Sequence, residues 1–510
     1  MLAKTQAAAV LGVDAYPVEV EVDLASGLPY YSTVGLPDAA VKESKDRIRA
    51  AILNTGFIYP MGRITVSLSP ADVRKEGSAF DLPIALSLLR ANGVFHSRSQ
   101  IEDSLLFLGE LALDGSLRPI RGALNIAVLA KKMGKRGLVL PAENAPEAAV
   151  VDKLEVYPVH TLPQVVGFIR EEIDIPPACC LKNGIEKKEV ERIDFSDIRG
   201  QHQAKRAVEV AAAGSHNLLM IGPPGSGKSM LAKRFPTILP PLSLDEAIET
   251  SQVWSVLGKL KNHNSLIQQR PFRAPHHTIS DAGLVGGGAM PLPGEASLAH
   301  NGVLFLDELP EFQKNVLESL RGPLEDGKIT ISRAQASLSF PARFMLTAAM
   351  NPCICGLRSE GTCTCTPKQV ARYRSRISGP ILDRIDIHIN VPRVPWKELA
   401  EDPEGESSAT IGSRVLAAQN IQKARFKDHP GVYANAHMGP ALINEHCKLD
   451  AEGRRLLKLA VEKLGLSARA YHRVLKVART IGDLASQRDI APQHVAEAVQ
   501  YRQLDRQMSV

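Results

Sequence analysis

No stretch of this sequence is apolar for long enough to cross a membrane, and the start, Met1-Leu2-Ala3-Lys4, lacks the apolar run behind it that export requires. A cytoplasmic location is therefore expected by default, with no membrane partner. Internal repeats and long low-complexity tracts are missing too, so the 510 residues are shared among unlike domains. One hydrophobic core does not extend that far. Two or three domains are expected, and a hydrophobic content of 44% suffices to build them. Neither sign of charge dominates: 61 basic residues against 55 acidic ones leave a net +6, which permits a polyanionic partner without requiring one. Cysteine is scarce, seven in all, yet four crowd into Cys353-x-Cys355-x7-Cys363-x-Cys365. In a reducing compartment that spacing suits a metal site better than a disulfide framework.

What is present is a phosphate-binding loop. Asn217-Leu218-Leu219-Met220-Ile221 reads as a short buried strand running into Gly222-Pro223-Pro224-Gly225-Ser226-Gly227-Lys228-Ser229, and Met230-Leu231-Ala232 opens a helix behind it. Strand, loop and helix in that order aim consecutive backbone N–H groups at phosphate oxygens. Lys228 is then placed for the β and γ phosphates of ATP and Ser229 for Mg2+. The apolar run Val303-Leu304-Phe305-Leu306 ends in Asp307-Glu308. Asp307 is read as a magnesium ligand and Glu308 as the general base that polarises the attacking water, a pair that argues for hydrolysis and not storage. A third strand over residues 344–348 delivers Asn351, which can bond the γ-phosphate or the water; Asn351-Pro352 equally suits an ordinary strand-end turn.

Domain boundaries follow from patterning. Residues 1–168 read as mixed α and β, with alternation at 18–22 and 64–68 and helical spacing at 80–89 and 123–132. Residues 169–193, polar and carrying Pro176-Pro177, read as a linker. Residues 194–393 read as a P-loop α/β core whose parallel sheet gains a last strand at 385–391, and residues 394–510 as a helical domain with helices at 410–426, 450–464, 468–484 and 492–504. The interval from Lys228 to Asp307 exceeds what a crossover needs, so a loop-bearing insert is expected around residues 270–288.

The set formed by the 222–229 loop, Arg270-Pro-Phe-Arg-Ala-Pro-His-His-Thr278, Gly302-Val-Leu-Phe-Leu-Asp-Glu-Leu-Pro310, Leu324-Glu-Asp-Gly327 and Asn351-Pro-Cys353 closely resembles the magnesium-chelatase-like AAA+ ATPases of bacteria, nearly end to end. The resemblance implies a homo-hexameric ring with ATP sites between subunits and a helical lid. For the competence-linked branch it also implies a DNA helicase that promotes branch migration in homologous recombination during natural transformation, acting on single-stranded and branched DNA beside recombination proteins. A chelatase-like motor that remodels a protein partner, with hydrolysis not coupled to DNA, is the competing reading; a DNA-regulated scaffold is a third.

Further roles rest on the same resemblance. Arg384 matches the arginine finger that reaches a neighbour's γ-phosphate, while its flanking Asp383 and Asp386 also suit a surface ion pair. Arg469 matches the second sensor arginine, with Arg473 one turn on as the competing assignment. Lys328 and Arg333, on two short strands around a turn, resemble a hairpin lining the pore of MCM-like rings. They and the insert's Arg270 and Arg273 are candidate DNA phosphate contacts, although each also suits a solvated face. No base-reading helix or finger is evident, so contact with the DNA backbone is expected. Structural zinc fits the four cysteines; unliganded cysteines and an iron–sulfur cluster are the alternatives. Lys75-Glu-Gly-Ser-Ala-Phe-Asp81 and Leu108-Gly-Glu-Leu-Ala-Leu-Asp-Gly115 resemble the α+β protease-domain fold of Lon and its relatives. Ala79 and Leu124 stand where that family has its serine and lysine, so no dyad forms and the domain is expected to be catalytically incomplete.

Overall fold

The computed structural model describes residues 1–95, 101–179, 193–260, 266–288, 291–333, 336–358, 363–396 and 405–504. The chain forms two compact units, the first made of residues 1–186 with 244–267 and the second of residues 187–243 with 268–510.

In the first unit the strands Leu2–Leu11, Asp14–Ala25, Arg63–Ser69 and Tyr30–Val34 lie side by side in that order, the last pair parallel and the others antiparallel. Val18, Val20 and Val22 are buried while Glu19 and Glu21 between them are partly exposed, as a pleated strand with one covered face requires. A second, parallel sheet holds Leu105–Phe107, Gly137–Pro141 and Glu155–Val159. Helix Asp81–Ala91 is buried on nearly every side, which its apolar composition allows. Its first residue, Asp81, is kept buried by accepting from Arg47 Nε at 2.9 Å and from the Leu111 N–H at 3.3 Å. Ala79 and Leu124 both pack in this unit's apolar core.

Helix Leu244–Val256 also belongs to the first unit, although it follows the phosphate loop in sequence. Its Ser255 carbonyl accepts from the Gly122 N–H at 3.1 Å and its hydroxyl donates to Glu147. The sequence reading keeps this helix inside the 194–393 core; periodicity reveals a buried face but not the domain on which that face docks.

The second unit is built on a five-stranded, wholly parallel sheet in the order Phe272–Arg273, Val303–Leu306, Met345–Met350, Leu218–Ile221, Ile387–Asn390. Strands covered on both faces read as unbroken apolar runs. Alternate side chains feed two cores: Leu218, Met220, Val303, Phe305 and Met345 on one face, Leu219, Ile221, Leu304, Leu306 and Leu346 on the other. Each of these large side chains contributes about 1.5–3 kcal/mol by leaving water. In register, Leu306 faces Ala348 and Ile221 faces Met350, so Gly222, Asp307 and Asn351 emerge together at the carboxyl edge, where parallel sheets bind ligands. Asn217 locks three strands at the opposite edge. Its side chain donates to the Arg384 carbonyl at 2.9 Å and accepts from the Leu346 N–H at 2.8 Å, and its own carbonyl accepts from the Asp386 and Ile387 N–H groups.

Beyond the sheet come helices Ser408–Arg425, Pro440–His446, Ala451–Leu464, Ala468–Leu484 and Pro492–Gln500. The seven-residue Pro440–His446 is too short for periodicity to announce. Helix Ala468–Leu484 starts at Ser467, whose hydroxyl accepts from the Ala470 N–H at 3.2 Å. A buried polar group ties this helix to the sheet. The Asp386 carboxylate accepts from the Asn217 N–H at 3.1 Å and lies 3.4 Å from His216 Nδ1, while Arg473 pairs with its second oxygen. Burial alone would raise this carboxyl, but Arg473 and the His216 hydrogen bond hold it well below the usual carboxylate range.

Candidate functional site

The loop after Leu218–Ile221 turns tightly enough to need glycine at Gly225 and Gly227, whose φ angles are 76° and 90°. Helix Lys228–Ile238 starts from that turn. Lys228 lies back over the loop and is buried. Its Nζ donates to the Gly222 carbonyl at 2.8 Å and the Pro223 carbonyl at 2.9 Å, and stands 3.4 Å from Asn351 Oδ1. Burial lowers its pKa, with Asp307 and Glu308 pulling the other way. Ser229 Oγ donates to Asp307 Oδ2 at 2.7 Å. Residues from three separate motifs, Lys228 with Ser229, Asp307, and Asn351, therefore converge at one sheet edge. A hydroxyl and a carboxylate side by side, below a lysine, are the donor set that Mg2+ with a triphosphate takes.

Glu308 has φ 53°, a left-handed conformation unfavourable for a residue with a long side chain and the kind of strain held at functional positions. Its carboxylate is half exposed, and His277 Nδ1 stands 3.5 Å from Oε2. The His277 ring in turn lies against His276, with ring centroids 4.1 Å apart. Sequence reasoning did not join His277 to Glu308. The strand Phe272–Arg273 does so by pairing with Val303–Leu304, and two residues are too few to carry a strand signal. Residues 270–273 are thus part of the core sheet and its approach, not a free insert.

The arginines assigned to DNA in that stretch are engaged internally. Arg270 donates to the carbonyls of Pro240 and Asn301, both at 2.8 Å, and Arg273 forms a two-pronged pair with Glu295 at 2.5 and 2.7 Å. Lys328 and Arg333 bound the strand Lys328–Arg333, which pairs with Ala336–Pro341 as an antiparallel hairpin. Lys328 is exposed, and the Arg333 side chain lies outside the described residues. Arg384 is buried and turned inward, with Nη1 donating to the Pro380 carbonyl at 2.7 Å and Nη2 at 2.5 Å from Glu325 of the same chain. Arg469 is exposed in the first turn of its helix. Arg473, the competing assignment, instead holds Asp386 and donates to the Arg384 carbonyl at 3.1 Å.

The four cysteines gather immediately after Asn351. Sulfur–sulfur distances are 3.3 Å for Cys353–Cys355, 3.6 Å for Cys353–Cys363 and 3.5 Å for Cys355–Cys363, and all four sulfurs lie within 4.8 Å of one another. A tetrahedral cation with metal–sulfur bonds of ~2.3 Å spaces its ligands ~3.8 Å apart, so the set fits such an ion. In the basic run that follows, Tyr373 is buried, Arg374 Nη2 reaches the Pro352 carbonyl at 3.5 Å and Arg376 pairs with Glu311 at 2.7 Å. Lys368 and Arg372 are exposed.

No helix among the described residues is long and apolar enough to cross a membrane. Residues 194–399 match the family described as magnesium chelatase, subunit ChlI; residues 20–144 match subunit ChlI of Mg-chelatase, and residues 405–502 its C-terminal region. The chain is 46% identical to competence protein ComM of Haemophilus influenzae over 99% of its own length and 98% of the relative's. It is 44% identical to YifB of Salmonella typhimurium over 99% and 98%. A shorter likeness, 30% over 28% of this chain and 27% of the relative, is to Lon protease 2 of Bacillus subtilis. With the phosphate loop, the acidic strand end and Asn351 meeting as described, and likeness along almost the entire chain, the protein belongs to the ComM/YifB family of magnesium-chelatase-like AAA+ ATPases.

Proposed function

We propose that the chain is an ATP-driven ring motor in which hydrolysis remodels a macromolecular partner. The observation that carries this is the meeting of Lys228, Ser229, Asp307 and Asn351 at one sheet edge. On this reading Ser229 and Asp307 hold Mg2+, Lys228 moves from the loop carbonyls to the phosphates, and Asn351 orients the γ-phosphate. Glu308 accepts the proton of the attacking water once its carboxylate is directed at the site. Magnesium supplies charge neutralisation on the phosphates. A structural zinc at the four cysteines completes the cofactor set.

Six copies in a ring would place Arg384 at the neighbouring site, which requires the Arg384–Glu325 pair to open on assembly; half-exposed Glu325 is the partner that can move. Arg469 would report the γ-phosphate from the helical lid. The first unit, of Lon-like fold without the Ser–Lys pair, would act as a collar or partner surface.

A protein partner is the reading that asks least of the arginines, because Arg270 and Arg273 are already engaged. DNA branch migration is the second reading. It is favoured by the two-stranded hairpin carrying exposed Lys328, and by the likeness to a competence protein of Haemophilus influenzae. ATP turnover with and without a synthetic four-way junction, together with junction migration, separates the two. Stimulation and migration by wild type, both lost in Lys228→Ala, establish the DNA motor. Turnover indifferent to DNA sinks it and leaves the protein-remodelling reading; no turnover at all sinks both.

A further inference from the structure

The cysteine cluster touches the phosphate loop. Gly356, between Cys355 and the second cysteine pair, sits at φ 79°, and a Cβ built on it would lie 2.5 Å from Pro224 Cδ and 2.8 Å from Pro224 Cγ. The Gly356 N–H closes a turn onto the Cys353 carbonyl at 3.0 Å, so the first two sulfurs and the surface pressed on Pro224 form one rigid turn. The segment's other end starts at Asn351, whose Oδ1 faces Lys228. One short loop thus carries two of the four sulfurs and contacts the nucleotide site from two sides.

The charge balance also favours a bound cation. Four thiolates around a divalent ion carry a net charge of about −2. Arg374, partly buried and reaching the Pro352 carbonyl at 3.5 Å, places one guanidinium group at the start of the cluster segment. A site of four soft sulfur ligands suits a thiophilic divalent cation better than magnesium or calcium, which take oxygen ligands.

We infer that a zinc ion held by Cys353, Cys355, Cys363 and Cys365 regulates ATP affinity by fixing the 353–356 turn against Pro224 of the phosphate loop. This rests on the nucleotide-site reading above and deepens it. With the cation bound, the turn is a fixed wall behind Pro223 and Pro224; without it, the sulfurs are released and the loop loses that support. If the unsupported loop holds its binding geometry about a tenth of the time, apparent ATP affinity falls about tenfold, because the dissociation constant scales inversely with the competent fraction.

The test uses the full-length protein and measures zinc content and the dissociation constant of a fluorescent ATP analogue at fixed free magnesium. Wild type should carry stoichiometric zinc. Stripping it with a thiophilic-metal chelator should weaken the analogue by about tenfold, and zinc readdition should restore binding. Cobalt replacement should give the charge-transfer and ligand-field bands of a tetrahedral tetrathiolate. Gly356→Ala keeps every ligand but drives a methyl group into Pro224, so it should retain zinc and still lose affinity. A Cys363→Ser/Cys365→Ser variant should lose both. The inference is overturned if the protein takes up no zinc even after reconstitution, or if stripped and loaded forms bind the analogue within about twofold of each other. Zinc-loaded wild type that binds no analogue overturns the nucleotide-site reading itself, and stoichiometric zinc in the same sample shows that the failure lies there and not in the metal site.

Discussion

Replacing Asp386 by alanine should loosen the helical region from the sheet. The side chain is only 5% exposed, accepts from the Asn217 N–H at 3.1 Å and pairs with Arg473. Its removal leaves the Asn217 N–H without its acceptor, costing about 1–3 kcal/mol. Breaking a buried ion pair by removing one partner costs about 3–5 kcal/mol in total. Arg473 retains its bond to the Arg384 carbonyl and some solvent access, with its side chain 20% exposed, so the lower part of that range, about 3 kcal/mol, is expected. Asp386→Asn keeps an acceptor for Asn217 and should cost about half as much. Because a chain of two units does not unfold in one step, the assay is native-state hydrogen exchange in helix Ala468–Leu484. A loss of protection there below about 1 kcal/mol would refute the reasoning, since it would mean that the carboxylate does not hold the helix.

Three other outcomes follow. Glu308→Gln should bind ATP as wild type does while turnover falls by at least ~10²-fold; unchanged turnover in a phosphate-release assay removes Glu308 from the chemistry. Arg384→Ala should reduce turnover on the order of 10³-fold in assembled protein, and doping this variant into wild type should depress activity beyond its mole fraction if the residue acts across subunits. Stability of the second unit should fall below about pH 6.5. Burial, with help from Arg343 and Lys476, pushes the His437 imidazole down to about 3. The unfolded chain therefore binds a proton between these limits that the folded chain refuses, and stability drops by up to ~1.4 kcal/mol per pH unit as the medium acidifies. His437→Gln should flatten that slope in denaturation titrations. The contribution of Asp386 behaves differently: its carboxyl is depressed in the fold, so its share is intact above ~pH 4 and is lost only below.

The parts of the site that were legible in the sequence are those whose geometry is local. A strand, a glycine loop and a helix must place Lys228 and Ser229 as they do, and apolar runs ending in Asp307 and Asn351 name their own sheet edge. Helix Ala468–Leu484 follows the expected 468–484 because its apolar face repeats over nearly five turns. Long-range pairing was not legible. Nothing in Arg270-Pro-Phe-Arg273 announces a two-residue edge strand, a Glu295 partner, or a route that brings His277 beside Glu308. Helix Leu244–Val256 has a buried face but no mark of the unit that buries it. Arg384 reads as exposed between two aspartates, yet Glu325 and Pro380 take its guanidinium inward.

If Arg469 reports nucleotide as proposed, helix Ala468–Leu484 would work as a lever with its fulcrum near one end. Arg469 projects into solvent in the first turn, and one turn further on Arg473 is clamped to the Arg384 carbonyl and to Asp386. Any tilt that carries the free arginine toward or away from a phosphate must rotate about that clamp. Such a tilt therefore shifts the backbone on which Arg384 is mounted. With Arg469 as sensor and Arg384 as finger in the proposed ring, a subunit that senses its own nucleotide through the tip would, by the same stroke, retract or extend Arg384 toward its neighbour, giving successive sites a mechanical reason to take turns.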